Sequence, residues 1–217
     1  MIVYYFRNPD SVSEECINGI LPNLPQQQQQ IVANIKNHRH RCEQVVAYIM
    51  LSYAIGHNQA EIESAGTVVK EFPSKLIAPD SEPLLWAFGE HGKPYITNHD
   101  GVHFNISHCN DAVAVGVSNL EVGIDVEGRR KFSDSLLQRA FNEEEQTEIL
   151  SSQEPQDTFA KLWTRKEAWF KWTGTGILID HLKSTEADAV SSGCNIDTLE
   201  VNIANDKSFF LSIAQKQ

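Results

Sequence analysis

What this 217-residue chain lacks narrows its class. Its four cysteines, Cys16, Cys42, Cys109 and Cys194, show no paired spacing. That argues against a zinc ribbon or a disulfide framework and leaves small buried or half-buried thiols. No apolar run approaches the roughly 20 residues that span a bilayer. Met1 to Asp10 lacks the basic, apolar and cleavage-site regions of a signal peptide. The expectation is a cytoplasmic protein with no membrane partner. There is no Gly-x-Gly-x-x-Gly, no glycine-rich phosphate loop and no Gly-x-Ser-x-Gly. The nucleotide-binding and serine-hydrolase fingerprints are therefore missing. Positive charge is short as well. Eighteen Lys and Arg stand against 29 Asp and Glu, a net charge of −11, which disfavours nucleic acid as a partner.

What is present is an ordinary globular composition, 41% hydrophobic and 22% charged. The length allows one large domain or two small ones. Ile2 to Phe6 reads as a strand. A helix follows Pro25 through the glutamine run Gln26 to Gln30. Cys42 to Ile55 has a helical apolar period, with Gly56 as its stop. Thr67 to Val69 and Leu84 to Phe88 are strand candidates, and Gly92-Lys93-Pro94 is a turn into an extended piece. His103 to Ser107 and Ala112 to Val117 read as a strand pair around Cys109-Asn110-Asp111. Val122 to Glu127 is the next strand. Phe141 to Leu150 is a helix capped by Asn142 with Glu145 closing a capping box. A further helix opens at Asp157 or Thr158 and ends at Gly174. Phe209 to Ile213 suggests a closing strand. The easiest boundary lies near Ser118-Asn119, which gives subdomains 1–118 and 119–217.

The chemistry sits in two acidic clusters. In Gly123-Ile124-Asp125-Val126-Glu127 the carboxylates alternate with apolar residues, so a strand puts Asp125 and Glu127 on one face. In Trp163-Thr164-Arg165-Lys166-Glu167-Ala168-Trp169-Phe170-Lys171 a helix puts Glu167 and Lys171 on one side. Three carboxylates from two elements, with a lysine, describe a site for a hard divalent cation and a phosphate-bearing substrate. Lys171 suits neutralising phosphate charge or protonating a leaving group. Lys93 suits a phosphate contact or a plain surface turn. His108, after Ser107 at a strand end, suits a phosphate contact or a structural role. Basic residues gather in three places: Lys36 to Arg41, Arg129 to Lys131, and Lys161 to Lys171. They suggest a small anionic ligand or a locally acidic partner.

In order along the chain stand Gly-Lys-Pro, Phe-Asn-Ile-Ser-His, Gly-Ile-Asp-Val-Glu, Phe-Asn-Glu-Glu-Glu and Trp-Thr-Arg-Lys-Glu-Ala-x-x-Lys. From about Gly92 to Gly176 the chain resembles the 4′-phosphopantetheinyl transferase family, in its larger type that activates peptide synthetases. The resemblance implies an α+β fold of two similar α/β subdomains related by a pseudo-twofold axis, with coenzyme A and Mg²⁺ in the cleft between them. It implies transfer of the phosphopantetheine arm of coenzyme A to a serine of an apo acyl or peptidyl carrier protein by a monomer, releasing 3′,5′-adenosine bisphosphate. Asp125, Glu127 and Glu167 match the metal ligands. Glu167 and Lys171 match the catalytic pair, with Lys171 beside the reacting phosphate. Ser107 and His108 match residues near the 3′-phosphate, and Lys93 matches a coenzyme A-phosphate contact. His40-Arg41 matches a His-Arg pair. Family members often carry basic residues upstream of that pair, where this chain has Gln26 to Gln30. Lys36 and Arg39 stand in for them, so Arg41 and Lys36 complete the coenzyme A set. Two other readings remain: a non-catalytic coenzyme A- or carrier-binding relative, and a Mg²⁺-dependent phosphohydrolase.

Overall fold

Ile2–Arg7 forms the first strand, β1, because an apolar-aromatic hexapeptide fits a sheet buried on both faces. The structure, a computed structural model, describes residues 1–175, 183–184, 186–203 and 207–216. Gly176, where the family-like stretch ends, lies outside them. The chain divides into two compact units, Met1–Leu120 and Glu121–Gln217.

In the first unit β1 is followed by helices α1 (Glu14–Ile20), α2 (Gln26–Ala33), α3 (His38–His57) and α4 (Gln59–Glu63). Then come strands β2 (Val68–Glu71), β3 (Trp86–Phe88), β4 (Pro94–Ile96), β5 (His103–His108) and β6 (Ala112–Ser118). The main sheet has the order β2-β1-β6-β5, with β1 and β2 parallel and the other pairs antiparallel. β3 and β4 make a separate hairpin. Its turn uses Gly92 at φ +80°, a conformation that favours glycine. Asn37 caps α3 by accepting from the His40 N–H. The periodicity of α3 predicts one apolar face, but nearly every residue from Cys42 to Ile55 is buried, Glu43 and Ser52 included. A helix covered on most sides has no polar face to keep. It also continues through Gly56 to His57 instead of stopping there.

The second unit starts with β7 (Val122–Gly128). Helices α5 (Asp134–Ala140), α6 (Glu143–Ser151), α7 (Pro155–Thr173) and α8 (Glu186–Ser191) follow, then β8 (Cys194–Ile203) and β9 (Lys207–Lys216). The sheet has the order β7-β9-β8, antiparallel throughout. The helix expected from Phe141 begins later. Phe141 is extended and buried among Leu137, Ile149 and Phe159, and the Asn142–Glu145 capping box opens α6. α7 opens at Pro155, ahead of the expected Asp157 or Thr158, because proline is preorganised for the first helical position and needs no N–H partner there. It ends at Gly174 (φ +71°). α5, capped by Ser133, has no counterpart among the elements expected from the sequence.

Gly123 sets how closely α7 crosses β7. A Cβ there would lie 2.1 Å from the Ala168 carbonyl oxygen and 2.3 Å from the Trp172 nitrogen. Glycine in a strand interior weakens the strand, but here it admits another backbone.

Candidate functional site

The close crossing brings the side chains of α7 down onto the acidic strand. Asp125, with only 4% of its surface exposed, has a neighbour on each carboxylate oxygen. The Thr164 hydroxyl donates to Oδ2 at 2.8 Å, and the Lys171 ammonium donates to Oδ1 at 2.6 Å. Both partners are on α7. Thr164, Glu167 and Lys171 stand at i, i+3 and i+7 and so share one stripe of the helix. Glu127, two residues along β7, accepts from Arg130 at 2.5 Å. The Arg130 guanidinium lies over the rings of Phe159 and Trp163, at 5.8 and 5.5 Å from their centres.

Charge in this site does not balance. Asp125, Glu127 and Glu167 face two cations, Lys171 and Arg130. The Glu167 carboxyl is pushed up to about 7, first by burial and then by the negative charge of Asp125, with Glu127 adding to it and Lys171 opposing. Glu127 is raised too, by burial, against the pull of Arg130. Among the described residues no three Asp, Glu, His or Cys side chains close into a ready-made cage for an ion. Lys171 and Arg130 hold oxygens that such a cage would use.

Asp125, Glu127, Glu167 and Lys171 are thus gathered in the second unit. Lys36, Arg41, Lys93, Ser107 and His108 all belong to the first. There Ser107 is buried in β5, while His108 exposes about half its side chain and faces the buried Glu43, with Nδ1 3.4 Å from a carboxylate oxygen. Arg41 is tied to Glu14 at 2.8 Å and to Asn18, and its buried Nε has no partner among the described residues. Arg39 pairs with Asp10 and Asn110. Lys36 is exposed, and Lys93 is half-buried at the β3–β4 turn.

Two of the basic clusters read from the sequence come apart in space. On α7, Arg165 bonds Thr198 at 2.8 Å, and the buried Lys166 pairs with Glu145 at 2.8 Å. Lys171 reaches Asp125. Arg129 is held by Asp157 and Glu154, and Arg130 by Glu127. Sequence reasoning missed Thr164 and Glu43, and it read Arg130 as part of a ligand- or partner-facing patch, whereas it is bonded to Glu127. Beyond its place one turn before Glu167 on the same stripe, nothing in the sequence separates Thr164 from a solvent-facing threonine.

The molecule is a mixed α+β chain in which an acidic strand lies under a helix carrying Glu and Lys. Residues 121–210 match the model of the 4′-phosphopantetheinyl transferase superfamily. The 4′-phosphopantetheinyl transferase AcpT of Salmonella typhimurium is 34% identical over 146 residues, 64% of this chain and 74% of that one. The 4′-phosphopantetheinyl transferase Sfp of Bacillus subtilis is 28% identical over 148 residues, 62% of this chain and 66% of that one. The 4′-phosphopantetheinyl transferase gsp of Aneurinibacillus migulanus is 31% identical over 114 residues, 52% of this chain and 47% of that one. Across the first relatives the chain spans between about half and two thirds of their length. On these grounds the chain belongs to the 4′-phosphopantetheinyl transferase superfamily.

Proposed function

We propose that the chain transfers the 4′-phosphopantetheine arm of coenzyme A to a serine of an apo acyl or peptidyl carrier protein, releasing 3′,5′-adenosine bisphosphate. Membership of the superfamily supports this reading. The observation that carries it is the buried Asp125, set against Lys171 and Thr164 beside Glu127 and Glu167. The donors are all oxygen, and three acids outnumber two bases. That set fits a hard divalent ion, which needs only one or two carboxylates when phosphate and water complete its shell. Asp125, Glu127 and Glu167 would hold Mg²⁺, which supplies charge neutralisation at the pyrophosphate.

The side chains have distinct parts in this reading. Glu167 stands beside Asp125 at the site, and in this reading it is also the general base. It takes the proton of the carrier serine as the serine oxygen attacks the β-phosphorus and the bond to the leaving phosphate breaks. Lys171 places its ammonium beside the charge that builds on the leaving oxygen. Ser107, His108 and Lys93 would contact coenzyme A phosphates, with Arg41 and Lys36 at the adenine end. The two units would be the two similar α/β halves that the resemblance implies, working as a cytoplasmic monomer without nucleic acid or membrane. The net charge is −11, and among the described residues no helix is long and apolar enough to cross a membrane.

The test is the intact mass of several apo carrier proteins after incubation with this protein, coenzyme A and MgCl₂. Each accepted carrier gains one phosphopantetheine, and excess chelator abolishes the gain. Transfer undiminished by chelator would remove the metal from the scheme. Phosphate release from coenzyme A without any carrier would favour a phosphohydrolase.

A further inference from the structure

Thr164 is completely buried in the middle of α7. A threonine there ordinarily turns its hydroxyl to solvent or back to the carbonyl one turn earlier. This hydroxyl crosses to another element and donates to Asp125 Oδ2 at 2.8 Å. The two oxygens of Asp125 are thereby made unlike. Oδ2 faces a neutral, buried donor, whereas Oδ1 faces the Lys171 ammonium at 2.6 Å. The terminal torsion of an aspartate is soft and nearly two-fold, so an untethered carboxylate offers either edge. We infer that Thr164 is a positioning residue: its hydroxyl locks the Asp125 carboxylate so that Oδ1 is the oxygen offered to positive charge, whether Lys171 or a divalent cation. The inference rests on the reading of Asp125 as a metal ligand.

Chemistry and placement both support it. Hydrogen bonds to a ligating carboxylate fix its orientation, and their loss typically weakens metal binding about 10–100-fold. Thr164 sits three residues before Glu167 and seven before Lys171, so one rigid helix sets all three side chains against β7. The neighbouring strand carries Ser212 in register with Asp125, with its hydroxyl 2.9 Å from that of Thr198. Asp125, Ser212 and Thr198 thus lie in one polar row across β7, β9 and β8.

The experiment titrates Mn²⁺, as a spin-active probe, into the full-length protein with coenzyme A present and no carrier. Free Mn²⁺ is followed by electron paramagnetic resonance. Thr164→Val keeps the shape without the hydroxyl, and Thr164→Ser keeps the hydroxyl without the methyl. The expected result is Mn²⁺ binding about 10–100-fold weaker in Thr164→Val and close to the parent in Thr164→Ser. Coenzyme A affinity in chelator should be the same in all three. If Thr164→Val does not fold, Thr164→Ala takes its place. A hydroxyl-free variant that binds Mn²⁺ like the parent overturns the inference and leaves the transferase reading standing. So does a Thr164→Ser as weak as Thr164→Val, since the methyl would then be what matters. No Mn²⁺ binding by the parent itself would remove the metal site, and the inference with it.

Discussion

Asp125 is buried with a hydroxyl on one oxygen and an ammonium on the other, and Glu167 is held beside it with its carboxyl near 7. Asp125→Asn and Glu167→Gln keep the side-chain shape and a hydrogen-bonding oxygen while removing one charge each, so they should leave the fold in place. Removal of one charge-stabilising group commonly costs about 10²–10³ in rate. Both variants should lose transfer by that order in single-turnover assays while their melting curves stay near the parent. A variant that keeps a near-parent rate would not be a functional carboxylate. The residue scale also explains what the sequence could and could not show. Asp125 with Glu127, and Glu167 with Lys171, were legible because strand and helix periods alone put each pair on one side. Thr164 was not, because a threonine next to Trp163 looks the same whether its hydroxyl meets water, its own helix or a carboxylate. Lys166 looked like part of a basic patch, yet it is buried against Glu145. Successive residues on a helix are turned by about 100°, so Arg165, Lys166 and Lys171 serve three different partners.

The elements are held together by two devices that make separate demands. The first is Gly123. Because a Cβ at this position would lie 2.1 Å from the Ala168 carbonyl oxygen, Gly123→Ala must push α7 away from β7. Overpacking of this kind typically costs about 1–3 kcal/mol. It should also pull Thr164, Glu167 and Lys171 back from Asp125 together. The expected outcome is a lower melting temperature together with weaker Mn²⁺ binding. An unchanged protein would mean that the crossing is looser than the structure has it. The second device is the Asn142–Glu145 capping box, whose Glu145 also pairs with Lys166. Burial lowers the pKa of Lys166, and Glu145 opposes that. A lysine whose folded pKa lies below its ordinary 10.5 binds fewer protons folded than unfolded in the window between the two values, so stability rises with pH there. The parent should therefore gain stability relative to Lys166→Met as pH rises toward 10.5 in urea melts, and parallel slopes would show no such lowering. Element types were readable from caps and periods, as at Asn142 and Gly174. α5 was missed because a seven-residue helix gives the apolar period too little room. The burial of α3 on most sides was missed because its covering includes residues remote in sequence.

On the scale of the whole molecule, charge is the property that most affects the proposed encounter with a carrier. Carrier proteins of this class are expected to be acidic around their serine, and this chain carries −11. Long-range forces between two such molecules are repulsive. The segment Arg129 to Lys131 looked in the sequence like a local remedy. In the structure Arg129 is bonded to Asp157 and Glu154, and Arg130 to Glu127. Only Lys131 of the three stands exposed without a counter-charge beside it among the described residues. The positive charge that this segment offers a partner is therefore smaller than its composition suggests. Repulsion between exposed charges is screened beyond about 8 Å at physiological ionic strength, and it acts on the rate of encounter more than on the bound complex. Raising salt from about 0.02 to 0.2 M should then lower the KM for carrier protein while leaving the chemical step, measured at saturating carrier, unchanged. The comparison uses one non-chelating salt at fixed Mg²⁺ and coenzyme A, so that only the encounter varies. A KM that climbs with salt would show that an attractive basic surface governs docking, and the exposed Lys131 would be the first place to look for it.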